Sequence, residues 1–353
     1  MLSLRCGRKN SASIMSSNSN AAPHVAIVGS TGAVGVELLR VLEKRNFPLS
    51  KLTLLSSPRS VGKKQTFRGQ ELVVQELTAD SFAGVDIALF SAGGSISKKF
   101  GPVAAQAGAV VVDNSSAFRM DPNTPLVVPE INPEDIARHN GIIANPNCST
   151  IILLMAVYPI HRINPVKNIV VSTYQAASGA GAAAMQELED QAKDYLGGKP
   201  VQPAIFPYPI AFNAFSHNSD MDVESGYNQE ETKMIKETHK ILHTTDIGVS
   251  PTCIRIGTFR AHAESVHLEL ERPADLDAIR AAWEQMPGVK IVDDRAKNYF
   301  PMPVESTGED DVLVGRLRYS AGGSDRRRID LFCCGDQILK GAALNAVQIA
   351  EKI

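Results

Sequence analysis

From His24 onward the chain alternates short apolar runs with amphipathic stretches. The runs His24–Val28, 52–55, 85–90, 109–112 and 141–144 are largely apolar and predict buried strands. Residues 34–45 and 97–107, lying between some of them, read as helices. Such alternation predicts a parallel sheet covered on both faces. Residues 149–157 predict a buried helix, the apolar run 151–158 ending at Pro159. Beyond Ile160 the texture changes. Longer strands are predicted at 167–174, 253–259, 265–271, 312–317 and 328–333, several alternating apolar with polar residues. Polar helices are predicted at 181–196, 228–243 and 274–285. That pattern predicts an open mixed or antiparallel sheet with helices grouped on one side. Residues 200–215 hold four prolines and predict an extended, irregular crossing segment. Residues 336–352 predict a last helix that packs back on the first unit.

The fold class is therefore α/β: a domain with a parallel sheet, which the glycine loop described below makes a Rossmann-type nucleotide-binding domain, plus an α+β domain with an open mixed sheet. The boundaries expected are a tail or targeting segment over 1–22, the nucleotide-binding domain over 23–148 completed by 336–353, and the second domain over 149–335.

Composition removes several classes of function. The chain has 353 residues, with 36 Lys+Arg against 38 Asp+Glu and a net charge of -2. A chain so nearly neutral has no electrostatic reason to seek nucleic acid or an anionic membrane surface. Its longest apolar run is far short of the roughly 20 residues that a membrane span needs. Cys6, Cys148, Cys253, Cys333 and Cys334 form no C-x-x-C pair, so neither a disulfide framework nor a metal site is expected, and the usage suits a reducing compartment. Residues 1–22 carry Arg5, Arg8 and Lys9, many serines and no acidic residue. They read as a disordered tail, with Met15 as an alternative start, or as an organelle transit peptide. A cytoplasmic location is expected, or a plastid one if the segment is a transit peptide.

Gly29-x-x-Gly32-x-x-Gly35 follows the first strand and opens a helix. Glycines there let backbone N–H groups approach a pyrophosphate at a helix N-terminus. The second strand ends in Ser56-Ser57-Pro58-Arg59-Ser60, with no carboxylate to bond a ribose 2′-hydroxyl. Hydroxyls and a guanidinium suit a 2′-phosphate, which selects NADP over NAD.

Asn145-Pro-Asn147-Cys148-Ser-Thr150 places a thiol at the start of the apolar helix. The helix dipole and its free N–H groups favour thiolate, so the expectation is a nucleophile with a lowered pKa. A nucleophilic cysteine wants a proton partner. Of the eight histidines, His262 is the best placed, on a segment that also carries Arg255 seven residues earlier.

Gly29-x-x-Gly32-x-x-Gly35, Ser57-x-Arg59-Ser60, Asn145-Pro-Asn-Cys148-Ser-Thr150, Gln175-Ala-Ala-Ser-Gly-Ala-Gly181 and Arg255-x6-His262 occur here in one order. Together they resemble the aspartate-semialdehyde dehydrogenases, NADP-dependent acyl-phosphate reductases of amino-acid biosynthesis. The resemblance runs from about His24 to the C-terminus. It implies a catalytic and dimerising second domain, and reductive dephosphorylation of aspartyl 4-phosphate through a thioacyl intermediate. By position, Cys148 matches the nucleophile, Gln175 the group orienting the acyl intermediate, and His262 the acid/base. Arg255 matches the group that binds the substrate α-carboxylate. Glu230, with Glu231 as the alternative, and Lys233 match contacts to the substrate amine and phosphate. Arg119 matches a phosphate-binding arginine, with Asn114 and Asn147 lining the same site. Coenzyme contacts fall on Gly29, Ser30, Thr31, Gly32, Ala33 and Val34, on Ser57, Arg59 and Ser60, and on Ser91, Ala92 and Gly93. Asn114, Ser178, Gly179 and Asn345 complete that set, the last on the nicotinamide side.

Two alternatives stay open at this level. N-acetyl-γ-glutamyl-phosphate reductase uses the same Cys–His logic, but with its cysteine in a Gly-Cys-Tyr context. A non-catalytic NADP-binding sensor would need none of Cys148, Gln175, Arg255 and His262. The partners expected are a small-molecule substrate, inorganic phosphate and a second copy of the chain in a homodimer.

Overall fold

The first strand, β1 (His24–Val28), is buried over four of its five residues and lies at the centre of a sheet. This is a computed structural model that describes residues 22–322 and 324–353. The expected tail therefore falls outside the described residues except for Ala22. After β1 come β2 (Lys51–Ser56), β3 (Lys64–Phe67), β4 (Gln70–Val73), β5 (Gln75–Glu76), β6 (Ile87–Phe90), β7 (Val110–Asp113) and β8 (Ile142–Ala144). Six of these form one parallel sheet in the order β5-β2-β1-β6-β7-β8. The pair β3–β4 is a separate antiparallel hairpin. Helix α1 (Ala33–Lys44) covers one face, with Leu38 and Leu42 packed beside Leu344 and Val347 of the C-terminal segment. Helix α2 (Gly94–Gln106) covers the other through Phe100 and Ala104. Both faces are thus closed, as largely apolar strands require, and the C-terminal segment packs on the first sheet's helix α1.

The strand order reverses at β1, with β2 on one side and β6 on the other. That switch point opens a crevice at the carboxyl ends of the strands. The glycine loop and the start of α2 both stand at its rim.

The second sheet contains β9 (Val166–Gln175), β10 (Ala214–Ser216), β11 (Gly248–Ile256), β12 (His262–Leu270), β13 (Val289–Ile291), β14 (Val312–Tyr319) and β15 (Arg328–Gly335). Its order is β10-β11-β9-β12-β15-β14-β13, with β11–β9 and β13–β14 parallel and the other pairs antiparallel. The mixed, open sheet expected from the alternating strands is present. Helices α3 (Cys148–Ile163), α4 (Ala182–Leu196), α5 (Gln229–Ile241) and α6 (Leu276–Glu284) accompany it. Helix α3 is apolar all round because α5, α6 and the inner sheet face enclose it. Trp283 of α6 donates to the Ala156 carbonyl at 2.8 Å. Pro159 ends the apolar run but not the helix, which continues to Ile163. The enclosing core holds that last turn although Pro159 has no N–H to contribute. Opposite this core, Val170 and Tyr174 of β9 stand on an exposed sheet face. Among the described residues, no helix is long and apolar enough to cross a membrane.

Candidate active site

The glycine loop forms because Gly29 must lie flat against the end of β6. Its φ is +85°, and a Cβ there would fall 2.4 Å from the Ser91 carbonyl oxygen. Gly32 then starts α1, and Gly93 starts α2, neither with a side-chain cap. Two helix N-termini with free N–H groups meet one crevice, an arrangement that attracts phosphate. Ser30 Oγ and Asn114 Oδ1 are buried there without a hydrogen-bond partner among the described residues. The loop is tied to the end of β2 through Thr31 Oγ1, 3.0 Å from Ser56 Oγ and 3.3 Å from Ser60 Oγ. Ser57 and Arg59 stand exposed beside it. These orphaned polar atoms, uncapped helix ends and the carboxylate-free turn fit a phosphorylated dinucleotide.

The crevice continues into a cleft of about 490 Å³ whose floor is the start of α3. Asn147 caps that helix, its Oδ1 accepting from Ser149 N at 3.0 Å and Thr150 N at 3.2 Å. The same side chain donates from Nδ2 to Glu230 Oε1 at 2.8 Å. Gln175, at the end of β9, donates to that oxygen at 3.1 Å, and Lys233 donates to Glu230 Oε2 at 3.1 Å. Burial works to raise the Glu230 carboxyl, but the Lys233 charge and the Asn147 bond outweigh it and hold the pKa down at about 2. Glu231 turns elsewhere, closing a capping box with Asn228 and accepting from Cys253 N. Of the two, Glu230 is the carboxylate of the cleft.

Cys148 lies at the first position of α3, half-buried, with the Gly341 backbone pressed against it. A Cβ on Gly341 would fall 2.7 Å from that of Cys148. The lowered thiol pKa expected from the helix N-terminus is not what the surroundings give. Burial, reinforced by the Glu230 charge, pushes the thiol up to about 12, while Arg119, the Ser149 N–H and Arg255 pull it down. A helix end lowers a thiol pKa where water or cations share the site; here the low-dielectric wall and a carboxylate outweigh it.

Arg255 on β11 donates from Nη1 to the Ala176 carbonyl and from Nη2 to His217 Nε2, both at 2.7 Å. Its Nε has no partner among the described residues, and the Phe206 ring lies 5.4 Å from its Cζ. His217 Nδ1 lies 3.1 Å from Ser219 Oγ, which also accepts from Glu230 N at 3.1 Å. Burial first, then the charges of Arg255 and Lys233, lower His217 to about 4 against the raising effect of Glu230. His262 begins β12. Its Nδ1 accepts from Ala176 N at 3.0 Å, and burial with the Arg255 charge lowers its pKa to about 3.

Residues 24–139 match the family model described as semialdehyde dehydrogenase, NAD binding domain, and residues 157–340 match semialdehyde dehydrogenase, dimerisation domain. An aspartate-semialdehyde dehydrogenase from Synechocystis sp. is 55% identical over 327 residues, covering 93% of this chain and 96% of the relative. One from Bacillus subtilis is 49% identical over 338 residues, covering 94% and 97%. The chain belongs to the aspartate-semialdehyde dehydrogenase family. The crystal structure of aspartate semialdehyde dehydrogenase II from Vibrio cholerae, complexed with ASA, superposes with a TM-score of 0.91 at 45% identity, covering 94% of this chain and 98% of that one. The N-acetyl-γ-glutamyl-phosphate reductase alternative is not favoured by these relatives.

Within this family fold, the cleft gathers Cys148, His262, Gln175, Arg119, Asn147, Glu230, Lys233 and Arg255, and with them Val34, Ser91, Gly93, Asn114, Ser178 and Gly179. Gly29, Ser30, Thr31, Gly32, Ala33, Ser57, Arg59, Ser60 and Ala92 belong to the crevice segments rather than to the cleft lining. Asn345 departs from its expected place. It is fully buried behind the wall, donating to Asn145 Oδ1 at 2.6 Å and to the Val127 carbonyl. Arg119 lines the cleft, yet its nitrogens already donate to the Asn145 carbonyl, Glu237 Oε1 and the Asn114 carbonyl.

Sequence reasoning missed His217, Gln337 and Glu237. Gln337 accepts from Ala261 N at 2.8 Å and donates to Ser178 Oγ, holding the backbone just before His262. Glu237 was within reach of inspection, since it follows Glu230 by seven residues on one face of α5.

Two residues beyond His262, Glu264 is fully buried, and neither carboxyl oxygen has a partner among the described residues. Burial and the Glu230 charge raise its pKa well above the ordinary carboxylate range. The folded state therefore keeps a proton that the unfolded chain releases, and stability falls as pH rises above about 4.3, by up to about 1.4 kcal/mol per pH unit until the folded group ionises. Glu264→Gln removes this linkage. Denaturant titrations at pH 5 and pH 8 are expected to show the variant gaining on the parent as pH rises; a difference independent of pH contradicts the assignment.

Proposed function

We propose that the chain catalyses the reversible, NADP-dependent conversion of L-aspartyl 4-phosphate to L-aspartate 4-semialdehyde and phosphate. One observation carries the reading: a thiol at a helix N-terminus shares a cleft with Gln175, Glu230, Arg255 and His262, and that cleft opens onto a dinucleotide crevice. The glycine loop, the start of α2 and the Ser57–Arg59–Ser60 turn would hold NADP, the arginine and hydroxyls taking the 2′-phosphate. When bound, the reduced coenzyme supplies the hydride.

Arg255 offers its unpartnered Nε and remaining Nη hydrogens to the substrate α-carboxylate, and Glu230 attracts the α-ammonium. Lys233 and the outward edge of Arg119 offset charge on the phosphate. So placed, the acyl carbon is open to the Cys148 sulfur. Attack forms the thioacyl bond, the carbon–oxygen bond to phosphate breaks, and Gln175 orients the resulting thioester. After reduction, the hemithioacetal on Cys148 collapses to the aldehyde. His262, neutral at working pH, meets the negative charge that develops on the acyl oxygen. Mass spectrometry after incubation with aspartate 4-semialdehyde and NADP without phosphate should find the acyl group on the Cys148 peptide; an unmodified Cys148 peptide rejects the mechanism.

His217 acts through Arg255 as its hydrogen-bond acceptor. Replacing it with leucine leaves a guanidinium N–H unpaired and frees its orientation. KM for the aspartyl substrate is expected to rise about tenfold with kcat little changed, and His217→Gln to recover most of the loss. Steady-state kinetics on both variants check this; an unchanged KM removes His217 from the site.

A homodimer formed through the outer face of the seven-stranded sheet would cover Val170 and Tyr174. Light scattering on a sizing column is expected to give twice the 38.0 kDa chain mass. A cytoplasmic site of action fits this reading, with a plastid location requiring cleavage of the first 22 residues.

A further inference from the structure

Helix α5 carries Glu230, Lys233, Glu237 and Lys240 at helical spacing, so that the four share one face. The first two line the cleft, and the third holds the Arg119 guanidinium and the Asn147 N–H. Lys240 is bonded differently. Its Nζ donates to three backbone carbonyls, those of Arg119 and Asp121 at 2.7 Å and that of Thr124 at 2.8 Å. An ammonium has three N–H groups, and here each is taken by a main-chain oxygen. Such charge-assisted bonds are roughly twice as strong as neutral ones.

The residues so gripped belong to the loop 114–124, which follows β7 and has neither helix nor strand. Its two ends are held by different parts of the molecule. Asn114 bonds the Phe90 carbonyl through N at 3.0 Å and Nδ2 at 2.8 Å, and Ser115 bonds the Asp113 carboxylate through N and Oγ. These anchors lie at the ends of β6 and β7, beside the coenzyme crevice, and owe nothing to α5. The other end is tied to α5, where Lys240 holds the main chain of Arg119 and Glu237 holds its guanidinium at 3.0 Å. The ion pair alone would let the main chain shift, because a long flexible side chain can follow it. Arg119 spends three of its five N–H groups on protein acceptors, leaving one on each Nη for a ligand.

Resting on the function proposed above, we infer that Lys240 is a positioning residue for the phosphate. It acts through Arg119, fixing that arginine against the helix that carries Lys233, so that both cations meet one phosphate. Its effect is confined to half of the reaction. Formation of the thioester on Cys148 from aspartate 4-semialdehyde involves no phosphate. In the other half a phosphate oxygen attacks the thioester carbon, and the C–S bond breaks with its electron pair on sulfur. Without the ammonium, water can satisfy each carbonyl at this half-buried place, but it cannot tie them to α5.

The test uses the full chain and reads the two halves separately. With aspartate 4-semialdehyde and NADP but no phosphate, the parent is expected to form NADPH in a burst that ends when Cys148 is acylated; inorganic phosphate then gives steady turnover. Lys240→Met is expected to keep the burst rate, and KM for the aldehyde and for NADP, within about twofold, and to raise KM for phosphate about tenfold. Lys240→Arg keeps the charge but offers a planar fork in place of three converging donors, so it should recover only part of that loss. An unchanged phosphate KM in Lys240→Met overturns the inference. So does full recovery in Lys240→Arg, which shows that charge alone suffices, and so does an equal fall in both halves, which shows a general loosening. If Lys240→Met does not fold, Lys240→Arg decides: a raised phosphate KM with a parental burst supports positioning, and parental phosphate kinetics reject it. A parent that gives no burst rejects the proposed function itself, whereas a parental burst with unchanged phosphate KM rejects the inference alone.

Discussion

Cys148→Ala is expected to lose phosphate-dependent turnover by at least about 10⁴-fold while binding NADP as the parent does. The side chain contributes the bond-forming sulfur, and nothing else lining the cleft can replace it, since the remaining cysteines among the described residues are buried in the second domain. Coenzyme affinity is untouched because the glycine loop, the start of α2 and the turn after β2 do not depend on the thiol. Steady-state assays paired with fluorescence titration of NADPH separate the two quantities. Retained turnover contradicts the covalent mechanism; lost coenzyme binding shows that the substitution damaged the crevice.

The second large effect is on stability. Arg119 and Glu237 form a buried ion pair at 3.0 Å, one on the loop after β7 and the other on α5. Glu237 Oε2 also accepts from Asn147 N at 2.6 Å, so this pair fixes the residue that caps α3 and precedes the nucleophile. Arg119→Met leaves the Glu237 carboxylate without its counter-charge, holding only the Asn147 N–H, and takes the guanidinium donor from the Asn145 and Asn114 carbonyls. A buried charge that loses its partner costs about 3–5 kcal/mol. The double variant Arg119→Met/Glu237→Met removes the stranded charge and should recover a large part of that loss. Denaturant unfolding of parent, single and double variants measures it. A single variant within about 1 kcal/mol of the parent shows that the pair is solvated and the expectation wrong.

Much of the molecule was legible from local signals. Near-continuous apolar runs in the first part and alternating ones in the second distinguished the two sheets, because a strand buried on both faces and one buried on a single face need different patterns. Cys148 was legible because turn residues before it and an apolar helix after it fix a helix N-terminus from sequence alone. What escaped depends on groups far apart in the chain. The thiol pKa is raised first by burial against walls drawn from several elements and then by Glu230, 82 positions away. Arg119 was expected on the substrate phosphate, and its ion-pair partner, Glu237, escaped because it is 118 residues away. Asn345 lies on the expected helix but behind the wall, since the π-helical turn Leu339–Ala343 sets which face that segment turns inward. His217 sits where a short strand pairs Phe215 with Arg255, a register that the proline-rich run around it gave no means to read.

The central claim is acyl-phosphate chemistry on an aspartyl substrate. Its most direct test is NADPH formation from aspartate 4-semialdehyde with and without inorganic phosphate, run in parallel with N-acetylglutamate γ-semialdehyde. The expected result is turnover of the aspartyl aldehyde alone, and only when phosphate is present. Turnover of the N-acetylglutamyl aldehyde instead would contradict the substrate assignment, and turnover of neither by enzyme that binds NADP would contradict catalysis altogether.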